Sequence, residues 1–414
     1  MHCKYFITIL FILFTFIVNA NNSDTLRAKD VEFSTFISNR SGSNSIQNKF
    51  LLSIYNGGFI DEKMKNENYS NLKNSNRLGS ISQAGLEYFQ INNSFFGFKN
   101  SGFSFGIDYE SVLESRFSKD AFALMFYGNI AFENDDVKLK NSAFRSLDFS
   151  TFRLGFRKKS TNSKHLFGVD LGFVNAYKYG FLEFEDASLT FSEDFETLSS
   201  SGSFNVELGD TSFLNDYSLK ASGFSLQILY RYETSNERLF QLKIKNAGFI
   251  WMNSNSFAFS TPLDLNPNIV EVPNLLNMNG FFENTTVKDS ILQLIFHNSN
   301  SKSFPVALPL EIQLMYRQNL NSNFDFSIQF IQRFRSFWIP YICGEINYVT
   351  GKRLSFGPIV SYGGYTNLNF GLNAKLRLWE NSSISVGTEY ISNMLFYSKV
   401  HAGIGGFITF TYKY

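Results

Sequence analysis

The feature that most constrains this chain is the strict alternation of residues between Leu368 and Leu378. Apolar residues occupy the even positions of this run, and polar or small residues occupy the odd ones. Successive side chains of a β-strand point to opposite faces, so the run predicts a strand with one apolar face and one polar face. A helix would instead scatter its leucines around the whole circumference. The run is about ten residues long, the length of a tilted strand that crosses a bilayer.

The same alternation recurs along most of the chain. The clear runs cover residues 103–109, 122–132, 152–156, 167–173, 224–232, 240–244, 310–316, 324–330, 342–348, 354–362, 384–390 and 400–414. We therefore predict an all-β fold, a transmembrane antiparallel β-barrel. The strong and weak runs together indicate 12–16 strands, and we expect about 14 because bacterial barrels use an even number.

Composition agrees with a barrel and excludes some functions. Aromatic residues make up 17% of the chain and charged residues 18%, while the mean hydropathy is only −0.12. A barrel keeps a low mean hydropathy because only half of each strand must be apolar. A secreted β-sandwich or propeller is the alternative, although its strands are usually shorter, about five or six residues. The net charge of +1 provides no field that would attract nucleic acid, so no nucleic-acid partner is expected.

The N-terminus predicts export. Residues 1–20 have the layout of a signal peptide: Lys4, an apolar core, and Val18-Asn19-Ala20 before the cleavage site. We expect residues 21–414 to form a single outer-membrane barrel domain. Cys3 would leave with the signal, so Cys343 would have no partner for an internal disulfide.

Several segments depart from the alternating pattern. Residues 24–40 are expected to be a periplasmic lead-in and residues 62–76 a loop. Residues 192–218 and 252–303 are too long and too polar for turns, so we predict outer loops or an inward-folded plug. A helical turn at residues 291–296 remains an open alternative.

The end of the chain resembles that of clients of the barrel-assembly machinery. In that class an aromatic residue ends an alternating last strand, as Tyr412 and Tyr414 do here. The resemblance implies that this machinery is a partner during insertion and that the lipid bilayer of the outer membrane surrounds the protein. Further protein partners are not indicated.

Short motifs in the C-terminal half resemble a family of uncharacterised outer-membrane barrels from Bacteroidota. They are Ala247-Gly248-Phe249-Ile250-Trp251, Leu308-Pro309, Gly363-Gly364-Tyr365 and Gly405-Gly406. Related barrels accompany the type IX secretion and gliding apparatus. The resemblance implies the outer membrane as location and leaves the function open.

Charged residues on the polar faces are the candidate lumen lining. If the apolar faces meet lipid, the following residues point into the barrel: Arg153, Arg157, Asp170, Lys243, Lys245, Glu311, Arg317, Lys375 and Arg377. They either pair with one another and fill the lumen, or line a polar conduit. Trp251, Trp338 and Trp379 are predicted to lie at the membrane interfaces, where aromatic residues concentrate.

The sequence contains no recognisable catalytic or metal-binding constellation. His165, His297 and His401 lie far apart and lack partners at metal-ligand spacing. We expect neither an enzyme nor a cofactor. The preferred hypothesis is a channel or uptake barrel for small or hydrophobic solutes, with residues 252–303 as gate or plug. The alternative is a non-conducting scaffold or partner subunit of an outer-membrane secretion, motility or assembly complex.

Overall fold

The computed structural model describes residues 30–132, 135–161, 164–191, 198–209, 221–234, 238–262, 302–351, 353–395 and 402–414. The predicted signal peptide and the candidate helical turn at 291–296 lie outside the described residues. So do parts of both irregular segments, including residues 210–220 and 263–301.

A closed antiparallel barrel of 14 strands forms the molecule, and this confirms the predicted fold class. Each strand pairs with the next, and the last pairs with the first, with Glu32 opposite Lys413. The strands are β1 Asp30–Ser43, β2 Asn76–Phe95, β3 Phe98–Phe117, β4 Ser142–Lys159, β5 His165–Phe184, β6 Ala221–Glu233, β7 Arg238–Met252, β8 Glu311–Asn321, β9 Phe324–Arg333, β10 Ile339–Thr350, β11 Leu354–Gly364, β12 Leu368–Trp379, β13 Ser382–Thr388 and β14 Ala402–Lys413.

The two ends of the barrel differ in their connections. Asp30 and Tyr414 lie at the end where short turns such as Phe96-Gly97 and Ser322-Asn323 join the strands. We call this the turn end, and the opposite end, which carries the long connections, the loop end. Short strands at the loop end extend the wall or form a separate 3-stranded sheet: Asp136–Lys138, Ser188–Phe191, Leu198–Ser201, Ser203–Leu208, Phe257–Pro262 and Pro305–Ala307.

Exposure alternates along the strands as the sequence pattern predicts. On β5, Leu171 is 70% exposed on the outer wall, whereas Asp170 is 2% exposed. On β12, Leu372 is 52% exposed and Asn369 only 1%. Apolar side chains therefore cover the outside of the barrel, and polar ones concentrate inside it.

Helices pack together over the loop end. They are α1 Asn48–Tyr55, α2 Glu62–Asn71, α3 Lys119–Tyr127 and the short α4 Ile391–Leu395, with a 3₁₀ turn at Asn129–Phe132. The ring of Phe50 on α1 lies 4.9 Å from that of Phe126 and 5.7 Å from that of Phe122, both on α3. None of the helices in the described ranges is both long and apolar enough to cross a membrane.

Two local predictions are wrong at the loop end. Residues 122–132 are helical because the Ser118 hydroxyl caps α3 by accepting from the Ala121 amide at 3.0 Å, and Gly128 ends it at φ 78°. The expected loop at 62–76 contains α2, capped by the Asp61 carboxylate, which accepts from the Met64 amide at 2.7 Å.

The expected lead-in at 24–40 is also wrong from Asp30 onward, because that segment is β1. Its inward side chains include Glu32 and Arg40, and Thr35 and Asn39 interrupt the apolar residues of its outward face, so its alternation is weaker than that of the later strands. Its position comes from pairing on both edges, with β2 and β14. Glu32 accepts from Arg231 at 2.9 Å, across the lumen on β6.

Candidate functional site

The interior of the barrel contains a network of buried ion pairs, which we examine as the candidate site. Arg157 on β4, 0% exposed, donates to both carboxylate oxygens of Asp170 on β5, at 2.7 and 2.9 Å. Gln227 on β6 donates to Asp170 at 2.8 Å, and Ser104 on β3 also donates to it. Four consecutive strands of the wall thus converge on one carboxylate.

Glu87 connects this cluster to the opposite wall. It lies on β2 and accepts from Arg157 at 3.3 Å and from Lys243, on β7, at 2.7 Å. β2 and β7 are not neighbours in the sheet, so the bond to Lys243 must cross the lumen. Arg153 pairs with Asp108 on the neighbouring strand β3.

A second bridge crosses the lumen nearer the loop end. Arg333 on β9 donates to Glu311 on the adjacent strand β8 at 2.8 Å, and also to Glu110 on the far strand β3. The Arg333 side chain is 2% exposed, and those of Glu110 and Glu311 are 5% and 4% exposed. We call this group the Arg333 bridge.

The segment between β9 and β10 folds into the loop end of the lumen. Glu114 on β3, 1% exposed, accepts from the Ser336 hydroxyl, the Phe337 amide and the Tyr365 phenol at 2.6, 3.1 and 2.8 Å. Burial, and then the adjacent Glu114 carboxylate, raises the pKa of Tyr365 well above its ordinary value. The phenol therefore stays protonated and remains a donor.

Trp338 lies inside the barrel and not at the membrane interface where it was expected. Its side chain is 5% exposed, and its ring centroid lies 5.1 Å from that of Tyr365 and 5.6 Å from that of Tyr341. The segment that carries Trp338 turns into the barrel, so the indole packs within the lumen. Trp251 and Trp379, by contrast, are 53% and 65% exposed on the outer wall.

Apolar side chains fill other parts of the lumen. At the turn end, Phe89, Ile91, Leu166 and Leu229 form a cluster in which none exceeds 5% exposure. A water-filled pore would leave its lining side chains accessible, whereas these and the ion pairs above them are buried. The part of the lumen formed by described residues is therefore closed by side chains.

The structure brings most of the predicted lumen residues into contacts. Arg153, Arg157, Asp170 and Lys243 belong to the network described above, and Glu311 to the Arg333 bridge. The Lys245 ammonium lies 5.9 Å from the ring centroid of Phe36, across the lumen on β1.

The remaining predicted residues lie towards the turn end. Arg317 pairs with Asp325 at 3.2 Å and is 38% exposed. Lys375 is half-buried and Arg377 exposed, on the same face of β12 as Asn369, and neither forms an ion pair with a described residue.

Sequence reasoning missed Glu87, Glu110, Glu114 and Arg333, which hold the centre of the network. The alternating pattern of the sequence contains a signal for three of them. Glu110 and Glu114 continue the polar face of the alternating run at 103–109, and Arg333 continues that of 324–330. Extending each run by a few residues at the same parity would have found three of the four.

A cavity of about 220 Å³ lies inside the loop end, between strands β3 to β5 and the segment 305–309. Val112, Leu147, Phe181 and Val306 supply apolar surface there. Polar groups occur on the same wall, including Arg145 and Glu207. A smaller cavity of about 110 Å³ opens at the turn end among paired charges such as Glu32 and Arg231.

No cluster of three or more potential metal ligands occurs among the residues that the structure describes. The Nδ1 of His165 lies 3.0 Å from the Tyr230 hydroxyl on the neighbouring strand. His297 and His401 lie outside the described residues.

Residues 30–381, most of the chain, match a family of unknown function, DUF5723. The chain belongs to this family. A comparison with curated proteins gives no match.

Solved structures of other membrane barrels have a similar course. The toluene transporter TodX of P. putida has a TM-score of 0.43 at 9% identity, covering 93% of this chain and 90% of its own. The toluene transporter TbuX of Ralstonia pickettii scores 0.42 at 8% identity, covering 93% and 89%. A FadL homologue of Pseudomonas aeruginosa scores 0.40 at 7% identity, covering 93% and 90%. Similarity at this level says nothing about what this member of the DUF5723 family binds.

Proposed function

We propose that this protein is an outer-membrane barrel that takes up small, largely apolar solutes from its loop end. The apolar outer wall supports residence in a bilayer, since exposed residues such as Leu171 and Phe224 would otherwise contact water. The predicted signal peptide supports export to the outer membrane. The observation that carries the uptake role is the cavity of about 220 Å³ inside the loop end.

The size and lining of this cavity define the class of solute. An apolar cavity of about 150 Å³ accommodates benzene in another protein, so 220 Å³ suits a single ring with a small substituent. Val112, Leu147 and Val306 would contact the ring by apolar surface. The phenol of Tyr179 and the Arg145 guanidinium lie at the same cavity and would accommodate one polar substituent.

The buried ion pairs between the cavity and the turn end argue against a general diffusion pore. A solute that leaves the cavity towards the turn end meets the Arg333 bridge and then the Glu87 and Asp170 pairs. Separating such buried charges is costly, so passage requires the network to rearrange around each solute. The buried pairs leave ions and sugars no open path to the turn end, and we expect no steady ion current.

A non-conducting scaffold is the second candidate, and the same closed lumen favours it. Lumen charges that only stabilise the barrel would form the same pairs. The two functions differ in one respect, because a scaffold has no need of a cavity with the size and lining to admit a small solute.

Binding of toluene and of p-cresol to the detergent-solubilised barrel tests the proposal. Saturation-transfer NMR should detect both compounds on the intact protein. Val306→Trp fills the cavity and should abolish the signal, whereas Val360→Trp, on the outer wall, should not. Folding of both variants is checked by heat-modifiable migration on gels. Absence of binding to the intact barrel would leave the scaffold as the better hypothesis.

A further inference from the structure

The hairpin that joins β2 to β3 extends past the described residues of its neighbouring strands at the turn end. On one side, the last residue of β2 paired with β1 is Ile91, opposite Asp30. On the other, the first residue of β3 paired with β4 is Ser101, opposite Lys158. Residues 92–100 therefore project beyond the adjacent described strands. We call them the hairpin foot.

The hairpin foot is aromatic and largely unburied. Phe96 at its tip is 85% exposed, and Phe98 is 54% exposed. The ring of Phe95 lies 4.4 Å from that of Phe96 and 6.1 Å from that of Phe103. Two of the three phenylalanines of the foot are thus more than half exposed.

Its aromatic surface is continuous with the outer wall of the barrel. The ring of Phe98 lies 5.7 Å from that of Phe156, an outward residue of β4, and Phe95 lies 6.4 Å from the same ring. Phe103 also points outward, on β3. These rings extend the apolar wall towards the turn end and do not turn into the lumen.

The backbone at the tip makes the exposed Phe96 unexpected. Phe96 and Gly97 form a two-residue turn with φ 49° and 82°, both in the left-handed region. Gly and Asn fit such turns, whereas a bulky residue there is strained. The Phe96 ring packs against Phe95 but stays 85% exposed, so most of its surface is available for a contact outside the chain that would offset the strain.

Lysines accompany the rings. The Lys158 ammonium lies 5.6 Å from the ring centroid of Phe98, and Lys99 is exposed on the foot itself. Aromatic rings with ammonium groups beside them match the boundary of a bilayer, where acyl chains meet anionic phosphates.

We propose that the hairpin foot inserts Phe96 and Phe98 into the headgroup–acyl boundary of the leaflet at the turn end, with Lys99 and Lys158 on lipid phosphates. A bilayer is favoured over a protein partner because the rings continue the lipid-facing wall. The hairpin foot would then fix the depth at which the β2–β3 side of the barrel lies in the membrane. This inference does not depend on whether the barrel transports anything.

An environment-sensitive label tests the insertion. Cys343 is buried, and in a Cys3→Ser, Cys343→Ser background the substitution Phe96→Cys provides one thiol for an NBD dye. The matched control is Ser322→Cys at the tip of the β8–β9 turn, which is exposed at the same end and has the polar residues Ser322 and Asn323 where the foot has Phe96 and Gly97. Each labelled protein is folded into vesicles of phosphatidylethanolamine and phosphatidylglycerol.

We expect the label at position 96 to be blue-shifted relative to position 322, and its emission to fall when brominated phospholipids replace the ordinary ones. Iodide in the buffer should quench position 322 more strongly than position 96. Water-like emission at both positions would overturn the proposal, as would quenching by iodide alone at position 96. Phe96→Asn removes the ring and suits the turn, so this variant should still fold. It therefore separates the insertion of the ring into the membrane from the folding of the barrel.

Discussion

Arg333 bonds Glu110 from the opposite side of the lumen while holding Glu311 on the neighbouring strand at 2.8 Å. One guanidinium thus ties β3 to β8 and β9, neither of which pairs with β3 in the sheet. All three side chains are at most 5% exposed. Removing the cation would leave two carboxylates buried without their shared partner.

We therefore expect Arg333→Ala to destabilise the barrel by about 3–5 kcal/mol, the usual cost of breaking a buried pair. Arg317→Ala is the control, because Arg317 is 38% exposed in its pair with Asp325 and should contribute at most about 1 kcal/mol. Urea-dependent unfolding in lipid vesicles measures both. Equal losses for the two variants would mean that the Arg333 bridge is not a central support.

The two faces of β12 can be compared with adjacent substitutions. Leu372 is 52% exposed on the outer wall, and Asn373 lies on the inner face. An arginine facing lipid costs about 2–4 kcal/mol near the midplane, so Leu372→Arg should lose about that much stability. Asn373→Arg should lose less, although it adds a cation beside Lys375. Folding yield into vesicles provides the measurement, and the opposite ranking would reverse the faces assigned to this strand.

Gly79 provides a test of packing at the loop end. A Cβ at this position would collide with the ring of Tyr365, which donates to Glu114 at 2.8 Å. We expect Gly79→Ala to cost about 1–3 kcal/mol because the ring must shift in a packed interior. Gly344→Ala should change stability by no more than about 0.5 kcal/mol, since its Cβ meets nothing within 4 Å. Thermal unfolding of both variants in detergent tests this difference in stability.

Thiol labelling tests both burial and export. Cys343 is 5% exposed, so in the folded barrel it should react with a maleimide far more slowly than after denaturation. Protein purified from the outer membrane should then show one thiol per denatured chain, because Cys3 is expected to leave with the signal. Two thiols would show that residues 1–20 are retained, and rapid labelling of the folded protein would contradict the burial.

The sequence allowed the barrel to be predicted because its strands follow a rule of period two. The run from Leu368 to Leu378 lies within one strand, Leu368–Trp379, and exposed and buried residues alternate over its first five positions. The same rule failed at 122–132, where the alternating phenylalanines lie on a helix. Phe122 and Phe126 are four residues apart, so the run satisfies both periods, and the Ser118 cap decides between them.

The partners inside the lumen could not be predicted in the same way. Alternation assigns Arg157 and Lys243 to the inner face, but their shared partner Glu87 lies on a strand far away in sequence. Such pairs depend on which strands oppose one another after closure. Trp338 illustrates the same limit, because only the path of its segment into the barrel explains its burial.

The pairing of β1 with β14 joins residues nearly the whole chain apart, as Glu32 opposite Lys413 shows. Closing so large a loop has a high entropic cost, and little offsets it until both strands are present. Before that moment β1 and β14 are both open edges, able to pair with other chains. The last strand, β14, must therefore pair with β1 before either of them pairs with another chain. The risk of aggregation is thus concentrated in the time before the barrel closes.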